Sequence, residues 1–215
     1  MSDESRASEA EPYAGSESKR VEAFSDGVLA VAITLLVLDL KLPYLGTSGL
    51  WPTLTSQWPT FAAYATSFLV IGIMWVNHHG IFKQIKYVDR PLMLLNLLLL
   101  MFIVTIPFAT SLVSHYLRAA GSNGNVAMAV YSGVSLCVAL TFSALWGYAL
   151  RHPALLEPSV DVQISRKAFP RFAGGGLFYA VLIGISLYNA VIALIVTFLL
   201  ALYYAFDQIP SSRRS

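Results

Sequence analysis

A small set of groups able to trade hydrogen bonds and protons stands at the edge of the most apolar part of this chain. Arg20, Glu22, Ser25 and Asp26 precede a run in which polarity almost vanishes until Asp39. Farther along, Trp75, His78 and His79 close a second apolar run, and Asn96 lies near the start of a third. Together they offer a guanidinium, a carboxylate, a hydroxyl, an imidazole, an amide and an indole N–H. Ionisable groups near lipid are costly and tend to pair with one another inside a bundle. The expected neighbourhood is Arg20, Asp26, His78 and Asn96, with Ser25 and the Trp75 indole as hydrogen-bonding members. Simpler roles fit the same spacing. Ser25 or Asp26 can cap an apolar helix by accepting from its free amides, Arg20 can be a topology signal, and the two histidines can be interfacial. A metal held by Asp26, His78 and His79 is a third chemistry. It is disfavoured because neighbouring helical residues face different ways, and the sequence has no H-E-x-x-H pattern.

These residues must be positioned by long helices. Of the 215 residues 56% are hydrophobic and 12% charged, against about 25% charged in ordinary soluble domains. With several long apolar runs, that places the chain in a membrane. The net charge of +2, without a basic stripe interleaved with aromatics, excludes a nucleic-acid partner. The single cysteine, Cys137, cannot form an intrachain disulfide. Residues 1–18 are acidic, small and polar, a composition that cannot bury a core and reads as a disordered tail. They lack the basic start and apolar stretch of a secretory signal, so the first span is expected to act as its own insertion signal.

A span takes about 20 apolar residues. Such runs cover residues 24–42, 61–82, 92–117 and 126–150, with a kink expected at Pro107. Residues 172–206 would make one helix about 50 Å long at ~1.5 Å per residue, or two short helices joined by a tight turn at Tyr188 and Asn189. Charge favours two. With six spans and both termini cytoplasmic, 12 of the 14 lysines and arginines fall inside, leaving Lys41 and Arg118 outside. Five spans would strand Arg213 and Arg214. The organisation is then a tail at 1–18, an all-α membrane domain at 19–206 and a short basic tail at 207–215. Trp51 and Trp58 suit the outer interface, and residues 151–171 form the longest inner loop.

Within the first span, Val28, Val31, Leu35, Leu38 and Leu42 recur at three- and four-residue steps and share one face, with Thr34 beside it. Leu29, Ala30, Ile33, Leu36 and Val37 occupy the other side, so the helix is apolar all round. The pattern fits a packed face, a lipid face or a pore lining.

The run from Arg20 through Phe24, Ser25 and Asp26 fits an R-x-x-x-F-S-D signature at the start of a first transmembrane helix. Trp75, His78 and Phe82 fit W-x-x-H-x-x-x-F at the end of a second, and Asn96 with Pro107 and Phe108 resembles a third. On these marks the chain, over about residues 20–206, resembles prokaryotic members of the transmembrane protein 175 family of potassium channels. The resemblance implies six helices per chain, a homotetramer in the prokaryotic plasma membrane, lipid and permeant monovalent cations as its other partners, and no cofactor or enzymatic activity. It implies a pore lined by the first helix of each copy, with no TVGYG-like carbonyl filter. The constriction would be Val31, Leu35 and Leu38, with Thr34 as a polar contributor. Arg20, Ser25, Asp26, Trp75, His78 and Asn96 would brace that helix. Many relatives carry isoleucine where this chain has Val31, which implies a wider innermost ring here. Asp39 near the outer mouth is expected to gather cations, with Lys41 offsetting part of its field. A secondary transporter and a purely structural membrane protein are the rival readings. Pro107 interrupts one span as transporters often do, yet no matching break or internal repeat appears in the other half.

Overall fold

The computed structural model describes residues 3–40, 49–118 and 122–207, and the regular elements among them are all helical. In chain order they are α1 Asp3–Leu35, α2 Leu50–Ser56, α3 Trp58–Phe82, α4 Arg90–Ile103, α5 Ile106–Tyr116, α6 Asn123–Arg151, α7 Val162–Tyr188 and α8 Ala190–Asp207. Four stretches are long and apolar enough to cross a membrane: Ser18–Asp39, Trp58–Phe82, Arg90–Tyr116 and Asn123–Arg151. Two shorter apolar helices follow, Gly174–Tyr188 and Ala190–Ala205. Expectations that rest on Lys41, Leu42, Arg213, Arg214 and the basic tail beyond Asp207 lie outside the described residues.

The helix ends follow local chemistry. Asp89 caps α4 by accepting from the Leu92 amide at 2.9 Å, and Asp161 caps α7 through the amides of Gln163 and Ile164. Both satisfy amides that a helix start leaves without an internal partner. The third apolar run is two helices. α4 stops at Ile103 and α5 begins at Ile106, with Pro107 in its first turn. A proline supplies no N–H for the preceding turn, and the Thr105 hydroxyl donates to the Met101 carbonyl at the break (2.9 Å).

The last apolar block divides at Asn189, whose backbone is extended (φ −154°, ψ 111°). Asn189 caps α8 through the Ile192 amide. The Asn125 side chain, from α6, donates to the carbonyls of Leu187 and Tyr188 and accepts from the Ala190 amide. One amide side chain thereby serves the free carbonyls of one helix end and a free amide of the next. The start of α6 also leaves no room for a side chain at Gly124, where a Cβ would stand 2.8 Å from the Tyr116 carbonyl oxygen.

Three segments differ from their sequence-based expectation. Residues 3–18, expected as a disordered tail, run on as the first turns of α1. They carry three alanines and four glutamates, which favour helix, and an existing helix extends far more easily than a new one nucleates. The expected loop at 151–171 is mostly ordered. It makes a 3₁₀ turn at Pro153–Leu155 and is helical again from Val162. Between them the chain pairs with the α3–α4 connection: Lys86 and Tyr87 amides donate to the Leu155 carbonyl, and the Glu157 amide donates to that of Gln84. The loop around Trp51, finally, carries the short helix α2 after Gly49, whose φ of 80° suits only glycine.

The apolar core lies among α3, α4, α5 and α6, with Ile71, Leu92, Leu99, Ile103, Met128 and Leu145 fully enclosed. α1 leans on α3 and α4 along one side. Its base is also tied to the α3–α4 connection, because Ser18 donates to the Ile85 carbonyl at 2.9 Å.

Candidate functional site

α1 has a closed face and an open one. Ser25, Leu29, Ala32 and Leu36 are at most 1% exposed, whereas Val31, Leu35 and Leu38 are 56%, 42% and 67% exposed. The closed set steps by four, three and four residues, the spacing of one helical face. After Leu35 the helix tightens to a 3₁₀ turn over Leu36–Asp39. Residues three apart eclipse in such a turn. Asp39 therefore follows Leu36 toward the protein, where it accepts from the Ser111 hydroxyl of α5 (2.9 Å). Leu38 stays with Leu35 on the open side. Thr34 is exposed, and its hydroxyl donates to the Val31 carbonyl at 2.8 Å.

At the other end of α1 the closed face carries a buried polar line. The Ser25 hydroxyl donates to the Val21 carbonyl (2.8 Å) and accepts from the Asn96 amide nitrogen (2.9 Å). The Asn96 oxygen then faces His78 Nε2 at 2.9 Å, so the imidazole is the donor there. His78 stacks on Phe82 with ring centres 4.3 Å apart. Its Nδ1 is buried and has no hydrogen-bond partner among the described residues. In a neutral imidazole that donates from Nε2, Nδ1 is a bare acceptor, so no proton is stranded.

Beside this line runs a partly exposed one. The Trp75 indole N–H donates to Asp26 Oδ1 at 3.0 Å. The indole stacks on His79, 6.0 Å between centres and 12° from parallel, and His79 Nδ1 lies 2.6 Å from Glu22 Oε1. Glu22 and Asp26 are four apart on α1; Trp75 and His79 are four apart on α3. Each pair shares a face one turn apart, and the four side chains form a square lacing the two helices.

Of the residues singled out in the sequence, Ser25, Asp26, Trp75, His78 and Asn96 come together at one end of the bundle, through α1, α3 and α4. Arg20 does not join them. It is exposed and makes no hydrogen bond or ion pair among the described residues. Six residues along a helix turn the chain by about 240° at 3.6 residues per turn, so Arg20 and Asp26 point to different sides. The carboxylate that does face α3 alongside Asp26 is Glu22. The Glu22–His79 contact and the Asp39–Ser111 contact were missed in the sequence. The first was legible as a matched pair of four-residue spacings, E-x-x-x-D and W-x-x-x-H. The second leaves no local signal, because Ser111 comes from a helix 72 residues away. His78 and His79 reach different partners, and no group of three metal-ligating side chains is assembled among the described residues.

The chain as a whole is similar to known proteins. The profile of the family described as endosomal/lysosomal potassium channel TMEM175 matches residues 20–107. A potassium channel of Streptomyces collinus is 50% identical over 199 residues, covering 92% of this chain and 96% of that protein. The chain belongs to the TMEM175 family. The crystal structure of a lysosomal potassium-selective channel TMEM175 homolog from Chamaesiphon minutus aligns with a TM-score of 0.78 at 38% identity, over 89% of this chain and 98% of that one. The human endosomal/lysosomal proton channel TMEM175 is 35% identical over 153 residues, 66% of this chain and 30% of that protein. TMEM175 proteins are membrane ion channels, not enzymes. The segment matching the TMEM175 profile contains both faces of α1, the buried line and the whole square, whereas Ser111 lies beyond it.

Proposed function

We propose that four copies of this chain assemble into a potassium-permeable cation channel whose pore is lined by α1 of each copy. The observation that carries this reading is the one-sided packing of α1. Ser25, Leu29, Ala32 and Leu36 are sealed against α3 and α4, and Val31, Leu35 and Leu38 are left open along a continuous stripe. Four such stripes around an axis make an apolar ring that gates by shedding water. With no oxygen ligands in the ring, an ion crosses largely hydrated. Discrimination of potassium from sodium is then modest and reflects the easier dehydration of potassium. Val31 has one methylene fewer than isoleucine, which widens the innermost level. Thr34 is the polar member of the wall.

In this reading the buried line and the square set the rotation of α1, so that the stripe faces the axis. Asp39, anchored by Ser111, contributes charge at the far mouth. α1, α3, the α4–α5 pair, α6, α7 and α8 make six crossings with both termini cytoplasmic, on the side richer in lysine and arginine.

The test is flux from potassium-loaded vesicles carrying the purified protein. Leu35→Ala or Leu38→Ala is expected to raise basal flux and reduce preference for potassium over sodium. Unchanged flux and preference in both variants would refute an apolar gate. A second reading, proton passage, is favoured by the name of the human relative and by the partly exposed Glu22–His79 contact at the base of α1. A pH-sensitive dye in the same vesicles separates the two, because proton passage acidifies the lumen under a potential without potassium loss.

A further inference from the structure

A cavity of about 550 Å³ lies among α3, α6, α7 and α8, behind the face of α3 that holds α1. We propose that it is a modulatory site for an uncharged, mainly apolar ligand bearing a hydroxyl or carbonyl group. The volume falls within the range of roughly 300–1,000 Å³ typical of small-molecule sites.

The lining sets the ligand's chemistry. Met74, Phe142, Phe178 and Tyr179 supply polarizable and aromatic walls, the surfaces that hold apolar bodies. Among the described residues no charged side chain lines the cavity, so a formal charge in it would go unpaired and be costly. The hydroxyls of Tyr179 and Tyr204 are on the wall and have no hydrogen-bond partner among the described residues. They are the groups that would orient a ligand's hydroxyl or carbonyl. Tyr204 and Gly174 are exposed, so the cavity opens at that end.

The glycines of α7 distinguish a built cavity from loose packing. At Gly176 an added Cβ would stand 3.3 Å from Leu140, a close helix–helix contact. At Gly174 and Gly175 an added Cβ would meet nothing within 4 Å. The first permits close approach of helices, whereas the other two leave space that alanine would partly fill without strain.

Position links the site to α1. Met74 and Asn77 on the cavity wall interleave along α3 with Trp75, His78 and His79, which grip α1. An occupant that shifts α3 thus acts on the helix proposed above as the pore lining. That modulatory half rests on the channel reading; occupancy of the site does not.

The experiment uses the full chain in lipid nanodiscs and a short diazirine-bearing primary alcohol as photoprobe. The expected result is saturable labelling on Met74, Phe142, Phe178 and Tyr179, reduced about fivefold, equivalent to roughly 1 kcal/mol of binding, by Gly175→Leu. Ala139→Leu, which fills from the opposite wall, gives the same loss if the first variant folds poorly, and Gly175→Ala gives an intermediate one. Labelling that is non-saturable, spread over Leu177, Val181 and Leu187, and indifferent to the filling variants overturns the site. In parallel, the unlabelled alcohol is expected to change potassium flux through the wild type but not through Gly175→Leu. Site labelling with equal flux responses in both overturns the modulatory role. Absence of any flux in every sample counts against the channel reading, and the labelling still judges the site.

Discussion

Glu22 Oε1 and His79 Nδ1 stand 2.6 Å apart and close the square begun by Asp26 and Trp75. Both members are partly exposed, so the contact is screened. A double-mutant cycle on Glu22→Gln and His79→Gln, read from thermal unfolding in detergent, should give a coupling of about 0.2–1 kcal/mol. A coupling several times larger would mean that this corner is sealed from water in the assembled protein.

The buried line should behave differently. Asn96→Ala removes the one side-chain hydrogen-bond partner that Ser25 and His78 each have among the described residues. Each stranded group costs about 1–3 kcal/mol, so Asn96→Ala should lower stability more than Ser25→Ala does. The thermal midpoints of the two variants provide the comparison. Equal midpoints would show that water or a neighbouring copy replaces the Asn96 amide.

The open and closed faces of α1 predict opposite cross-linking. The chain has one native cysteine, so a Cys137→Ser background isolates any introduced thiol. Val31→Cys or Leu35→Cys should yield linked copies on mild oxidation, and Ala32→Cys, fully enclosed by its own subunit, should not. Links at Ala32 but not at Val31 or Leu35 would place the subunit axis elsewhere.

Substitution on the closed face should act on folding before conduction. Leu29→Ala empties an enclosed position and should destabilise by about 2–5 kcal/mol. Leu35→Ala on the open face should lower the unfolding midpoint far less while raising flux. Measuring both quantities on both variants separates packing from gating.

The α7–α8 turn rests on Asn125, which makes three hydrogen bonds across it. Asn125→Ala should loosen the turn and raise hydrogen exchange at Ala190 well above that of wild type. Protection unchanged at that amide would show that Asn189 alone maintains the break.

Much of the bundle is legible in the sequence. Long apolar runs mark their own helices, since a backbone in lipid must satisfy its hydrogen bonds internally. Pro107 and the Tyr188–Asn189 step likewise announced their breaks, through a missing N–H and a polar residue between two apolar stretches. The meeting of Ser25, Asp26, Trp75, His78 and Asn96 at one end was expected from their placement on successive runs that alternate in direction. Arg20 shares their depth, but six residues along a helix set it at a different angle around α1 from Asp26.

What the sequence determined by itself was composition, span and depth, because these depend on each segment's own solubility and length. Only the tertiary structure decided which side of α1 is closed. Val31 and Ala32 are both apolar, and no local rule ranks one face of a uniformly apolar helix above the other. The choice belongs to Asn96, which His78 holds in place and which donates to Ser25 at a single rotation of α1, and to the fit of Leu29, Ala32 and Leu36 against α3 and α4.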